Sequence, residues 1–182
     1  MNKILLVVLV AIVSCNNLRN LATFDFDTFY NELIVKHNIL RKKHNSGELT
    51  KLDDIAALAQ VTANGCVDAG GLVHSGNSYN NQWLGQNLYV CGGMTPTADS
   101  VLEGWYTEEE VNYDYNTGTS KNGGVIGHFT QVVWKSSKQI GCALAKGPWL
   151  QYNGFYVNVL YKITATKATM ITIPCAKGKL YN

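Results

Sequence analysis

The chain has 182 residues, a formal charge of +2, 46% hydrophobic residues and 15% charged ones. That length suits one domain with a real core and is short for two. The low charged fraction argues against a disordered chain, and the small net charge gives no field to draw in a polyanion, so nucleic acid is not an expected partner.

In "MNKILLVVLVAIVSC", Lys3 precedes the apolar run Ile4 to Val13, followed by Ser14 and Cys15. This is the layout of a secretory signal peptide over residues 1–15, too short for a comfortable membrane span. Val13-Ser14-Cys15 also matches a bacterial lipoprotein cleavage site, in which Cys15 would be acylated. Either way export is expected, with no transmembrane segment in the mature chain. Cys66, Cys91, Cys142 and Cys175 then remain. An even count in an exported chain reads as two disulfides, with three possible connectivities. No Cys-x-x-Cys pair suggests a zinc knuckle, and no Asn-x-Ser/Thr acceptor is present.

Residues 16–28 read as a lead into the domain. A helix is expected from about Asp27 to His44, since Phe26, Phe29, Tyr30, Leu33, His37 and Leu40 recur at three- and four-residue steps, with Asp25 or Asp27 as its cap. A second helix is expected from Leu52 to Ala63, with Asp53 and Asp54 in its first turn and Asn64-Gly65 ending it. A third follows Thr95-Pro96, with Val101, Leu102 and Trp105 on one side. A short fourth carries Phe129, Val132 and Val133. Strands are expected at "NLYVC", "QIGCALA" and "FYVNVLY". In the second, Ile140, Cys142 and Leu144 share a face; in the third, Phe155, Val157, Val159 and Tyr161 do. Stretches 70–86 and 112–127 read as long loops. Interspersed helices and strands with tight late turns indicate an α+β sandwich.

Among the four histidines, His37 falls on the apolar face of the first helix and suits a buried hydrogen bond. His44 suits that helix's negative C-terminus. His74 lies in the first long loop and His128 opens the fourth helix. Glu108 sits three residues after Trp105 and seven after Val101, which turns it toward the apolar side. An inward carboxylate needs a donor, a cation or a metal. Two imidazoles and a carboxylate suit a divalent metal such as zinc, an acid/base pair, or hydrogen bonds that fix loops.

"GHFTQVVWKSS", Gly127 to Ser137, resembles the signature of the CAP superfamily, which comprises cysteine-rich secretory proteins, antigen 5 allergens and plant pathogenesis-related proteins. "KHNILRKKH" resembles its His-Asn-x-x-Arg helix, "LVHSG" with "GQNLY" its His-Ser…Gly-Glu-Asn-Leu segment, and "GWYTEE" its Trp-Tyr-x-Glu helix. The resemblance spans residues 29–161 and implies a three-layer α-β-α sandwich. It implies a cleft of two histidines, His74 and His128, which in many members bind a divalent metal. Of the family's two acids, one falls on Glu108, with Glu109 as its alternative because the chain has an extra residue before "NYDY". The other falls on Gln86, which cannot ionise or act as a base.

The family's Cys-Asn-Tyr segment meets Val159, Leu160 and Tyr161, so Cys142 lacks its usual partner, and residues 162–182 form an atypical C-terminal extension. The preferred pairing is therefore Cys66 with Cys91 and Cys142 with Cys175. The function so implied is that of a secreted, monomeric protein that binds a lipid or sterol, a divalent metal or a partner protein. The alternative is a metal-assisted hydrolase or peptidase in which Glu108 activates water. Gln86 and the lack of a third evident zinc ligand count against that alternative.

Overall fold

A computed structural model describes residues 24–163. The signal peptide, most of the lead, Cys175 and nearly all of the C-terminal extension lie outside the described residues. Helix α1 (Phe26–Lys43) starts where the Asp25 carboxylate accepts the N–H groups of Asp27 and Thr28. Strand β1 (Thr50–Lys51) leads into α2 (Asp53–Ala69). This helix runs through Asn64-Gly65 and ends at Gly70, which takes a left-handed φ of 63°. The extra turn buries Cys66 against the sheet, which outweighs the roughly 1 kcal/mol that a mid-helix glycine costs.

Strands β2 (Ser78–Tyr79) and β3 (Gln82–Gly92) form a hairpin turning at Asn80 and Asn81, both with positive φ. Helix α3 (Ala98–Leu102) is capped by Thr97 in a reciprocal box with Ser100, so Pro96 precedes the cap instead of opening the helix. A π-helical turn over Glu103–Thr107 follows, then the single turn α4 (Glu108–Glu110). The small hairpin β4 (Tyr113–Asp114) and β5 (Thr119–Ser120) occupies the second long loop. Helix α5 (Gly127–Val132) and strands β6 (Ser137–Trp149) and β7 (Tyr152–Ile163) complete the fold.

The main sheet has the order β1-β6-β7-β3-β2, with β1 parallel to β6 and every other pair antiparallel. Ile140, Cys142 and Leu144 on β6, with Phe155, Val157, Val159 and Tyr161 on β7, meet side chains of α1, α3 and α5. Ala143, Tyr156 and Leu160 face α2 on the other side. The result is the expected three-layer α-β-α sandwich. Among the described residues no helix is long and apolar enough to cross a membrane.

The same alternation separates the cysteines. Cys66 packs with Leu88 and Tyr156 on the α2 side, whereas Cys91 and Cys142 belong to the opposite core. The sheet stands between Cys66 and Cys91, and the expected disulfide does not join them. The Cys66 sulfur exchanges hydrogen bonds with the Val73 main chain at 3.3 and 3.5 Å, and Cys91 Sγ donates to Met94 O at 3.6 Å. Burial pushes the Cys142 thiol pKa far up.

Polar side chains of α1 tie the layers together. His37 is fully buried; its Nδ1–H donates to Leu33 O at 2.8 Å, and its Nε2 accepts the Tyr161 hydroxyl at 2.8 Å. A carbonyl can only accept, which sets the neutral tautomer. Asn87 Nδ2 donates both to Tyr161 Oη at 3.4 Å and to His128 O at 3.2 Å. One turn further along α1, the buried Arg41 donates to the carbonyls of Gly47, Val132, Trp134 and Ser137 at 2.7–3.0 Å. Asn38 pairs with both main-chain groups of Leu49 at 2.8 and 3.1 Å.

Burial pushes His37 down from 6.5 to about 4, so the unfolded chain takes up this proton before the folded one does. The stability linked to His37 is therefore complete above pH 6.5 and is lost as pH falls toward 4. Denaturant unfolding is expected to show wild type losing about 3 kcal/mol more than His37→Gln between pH 7 and pH 4. Equal losses in the two proteins would refute the assignment.

Candidate functional site

Residues Gly85–Gly92 of β3 pair with β7 on one side only; on the other side β2 pairs with Gln82 and Trp83, and Asn77 O accepts the Leu84 N–H at 3.1 Å. An open edge of this kind needs polar cover, and part of it comes from the Trp105 indole, which donates to Leu88 O at 3.0 Å. The first loop approaches this strand through His74, whose Nδ1 lies 2.6 Å from Gln86 Oε1. The Gln86 oxygen also accepts the Ser75 N–H at 3.2 Å, and its NH₂ donates to Ser75 Oγ at 2.8 Å. Ser75 Oγ accepts Asn77 Nδ2 as well, at 2.6 Å, and so gives its own proton to Thr62 Oγ1 at 2.7 Å.

The second approach is made by α5. It sits against β3 at Gly85, where an added Cβ would lie 2.1 Å from Gln131 Oε1 and would displace the Gln131 amide. His128, in the first turn of α5, donates from Nδ1 to Glu109 Oε1 at 2.5 Å, and the other Glu109 oxygen accepts the Phe129 N–H at 3.1 Å. The imidazole stacks on the Trp105 indole, 6.3 Å between centroids and 10° from parallel. The loop leading to α5 is docked by His44, which hydrogen-bonds Tyr106 Oη at 2.7 Å and stacks on Tyr115. Burial is the main influence lowering the His44 pKa.

His74 and the backbone of His128 are thus tied to consecutive residues of one strand, Gln86 and Asn87. A carboxylate and an amide oxygen only accept, so Nδ1 is the donor in each ring. In the neutral rings the lone pair is then on Nε2. His74 is exposed, and the His128 side chain is 32% exposed.

The carboxylate that meets His128 is Glu109, 7% exposed, and not Glu108. Counting at 3.6 residues per turn points to Glu108, but the chain between them is not α-helical. The Glu108 N–H bonds to Glu103 O, five residues back. That wider turn absorbs one extra residue and moves the inward position on by one. Glu110 accepts the Tyr115 hydroxyl at 2.7 Å. Sequence reasoning also passed over Ser75, Asn87 and Trp105, which hold the site from behind. The only signal for them was their place inside the same short motifs. Among the described residues no group of three or more His, Cys, Asp or Glu could hold a metal ion.

Over residues 35–161 the chain matches the family described as "CAP: Cysteine-rich secretory protein family", and it belongs to that family. Protein PRY2 of Saccharomyces cerevisiae is 39% identical over 142 residues, covering 76% of this chain and 37% of that protein. Cysteine-rich secretory protein 3 of Mus musculus is 32% identical, covering 78% of this chain and 59% of that one. The chain thus spans well under two thirds of these relatives. Among solved structures, MpPR-1i soaked with selenourea superposes with a TM-score of 0.54 at 19% identity, covering 76% of this chain and 93% of its own. NaASP2 with Zn2+ gives 0.50 at 21% identity, covering 73% and 78%. These likenesses show a shared fold.

Glu109→Ala leaves His128 Nδ1–H and the Phe129 N–H without their acceptor. Urea unfolding is expected to show a loss of about 1–3 kcal/mol, and ¹⁵N spectra should show His128 becoming a mixture of tautomers. In Glu109→Gln the amide oxygen is expected to stay on the Phe129 N–H, which can only donate, so the NH₂ meets His128 Nδ1 and the ring should shift to the Nε2–H form.

Proposed function

We propose that this chain is an exported CAP-domain protein that works by binding, with a divalent cation held by Nε2 of His74 and Nε2 of His128 as part of its ligand site. The observation that carries this reading is that both rings donate from Nδ1, to Gln86 and to Glu109, which leaves two oriented Nε2 lone pairs beside one strand edge. Imidazole nitrogen suits zinc and its neighbours. Similarity to a cysteine-rich secretory protein supports export, and a protein of the same fold was crystallised with Zn2+. Gln86 supplies the same acceptor oxygen as a glutamate would, and Ser75 Oγ receives its extra N–H. The glutamine therefore retains the orienting role while removing one negative charge.

A bound cation would supply Lewis acidity and a coordination position for an oxygen of the ligand. Two imidazoles form an open donor set, not the three-ligand set of hydrolytic zinc sites. Gln86 cannot ionise, and both Glu109 oxygens accept hydrogen bonds. This chemistry suits binding better than hydrolysis. Titration with zinc is expected to perturb the imidazole signals of His74 and His128 together, and His128→Ala should weaken the calorimetric affinity at least about tenfold. A flat heat trace with unchanged imidazole signals would overturn the metal reading.

A lipid ligand is supported by a separate observation. Between α1 and α3 lies a groove of about 400 Å³ lined by Ile39, Leu40 and Leu102, with Lys36, Asp99, Glu103 and Thr107 also on its wall. The apolar walls suit a fatty acyl chain, while Lys36 is already ion-paired with Asp99 at 2.5 Å. The protein is expected to retain a fluorescent fatty acid against delipidated albumin, and Ile39→Asp should release it. Retention unchanged by that substitution would exclude the groove.

A further inference from the structure

At the far end of β3 from Gln86, about 20 Å along the strand, three large apolar side chains stand out in solvent. Leu150 is 59% exposed, Met94 53% and Tyr152 44%. Leu150 occupies the β6–β7 turn with φ of 52°, a left-handed conformation that a leucine disfavours. In the β2–β3 turn the positive-φ positions are filled by Asn80 and Asn81, residues that accept it readily. At the β6–β7 turn an apolar side chain is therefore kept against both its backbone preference and its solvation.

This tip is firmly built. Tyr156 Oη donates to Pro148 O at 2.6 Å, and Trp149 packs edge-on against the Tyr156 ring at 6.0 Å. Gly92 and Gly93 pass directly beneath Tyr152; a Cβ on either would come within 3.0 and 3.2 Å of it. The chain then reaches Met94, whose carbonyl accepts the Cys91 thiol. Neither residues 147–156 nor residues 89–98 include a charged side chain. Lys146 borders the tip, its Nζ 4.9 Å from the Phe155 ring centroid, and Phe24 lies against the same ring at 5.7 Å. An acidic residue, Asp68, follows Val67, which packs on Gly147 below the turn.

We propose that this end of the molecule is a docking surface for a lipid bilayer. Leu150 and Met94 enter the boundary between headgroups and acyl chains, Trp149 and Tyr152 rest at headgroup level, and Lys146 faces lipid phosphate. Aromatic rings with a polar end favour that depth. An uncharged tip carries none of the large desolvation cost that would keep a charged one in water. The docking is peripheral and independent of the histidine cleft.

The test is co-sedimentation of the exported protein with vesicles of phosphatidylcholine, alone and with phosphatidylserine. Wild type is expected to bind both, more tightly with phosphatidylserine. Leu150→Asn should weaken binding about tenfold, the partition lost with one leucine, without lowering the melting temperature, because asparagine suits the turn. Met94→Asp should weaken it similarly. The proposal is overturned if wild type stays with the supernatant or if Leu150→Asn binds as wild type does. It is equally overturned if that variant leaves vesicle binding intact and instead abolishes self-association in size-exclusion chromatography, which would make the tip a protein contact.

Discussion

The guanidinium of Arg41 is fully buried and, among the described residues, is paired with no carboxylate; four main-chain carbonyls hold it. Nε holds Gly47 O after α1, and the other donors converge on the end of α5 and the start of β6, where helix-terminal carbonyls lack partners of their own. One turn earlier, His37 reaches the beginning of α5 through Tyr161 and Asn87. Helix α1 thus grips α5 at both ends. Since α5 carries His128, the position of that imidazole is set from α1, through groups that never touch a ligand. Buried polar groups of this kind are costly when any member is left unpaired, so the grip favours one arrangement of the layers.

Around the histidines, the same logic of saturated hydrogen bonding decides which side-chain atoms pair. Glu109 spends one oxygen on His128 and the other on the α5 main chain. Gln86 spends its oxygen on His74 and Ser75 and its amide on Ser75 Oγ. Replacing a family carboxylate by an amide does not disorganise the loop, because a hydroxyl stands ready to accept the added N–H. What changes is charge: His74 meets an amide, whereas His128 meets the Glu109 carboxylate.

The two ends of β3 do different things. Near Gln86 and Asn87 the strand gathers polar side chains from two loops and a helix; near Gly92 it thins to glycines so that the β6–β7 turn can fold over it. Its pairing with β7 along the whole length keeps both ends in one rigid frame, which separates the cleft from the apolar tip by distance alone.

Much of this was legible before any coordinates. The period-two faces of β6 and β7, the buried stripe of α1 and the capping by Asp25 follow from local pattern, since each depends on neighbours a few residues away; His74, His128 and Gln86 are singled out as a set only by the resemblance of their motifs to the family's. Local pattern failed wherever packing overrode it. Asn64-Gly65 did not end α2, because the next turn buries Cys66. The inward acid moved from Glu108 to Glu109, because a π turn changes the count that periodicity assumes. Cys66 and Cys91, the preferred pair among the possible connectivities, lie on opposite faces of the sheet. Sequence determined which residues are available and which face each strand presents. Only the tertiary structure decided which of them meet, because that depends on burial and hydrogen-bond completion between segments tens of residues apart.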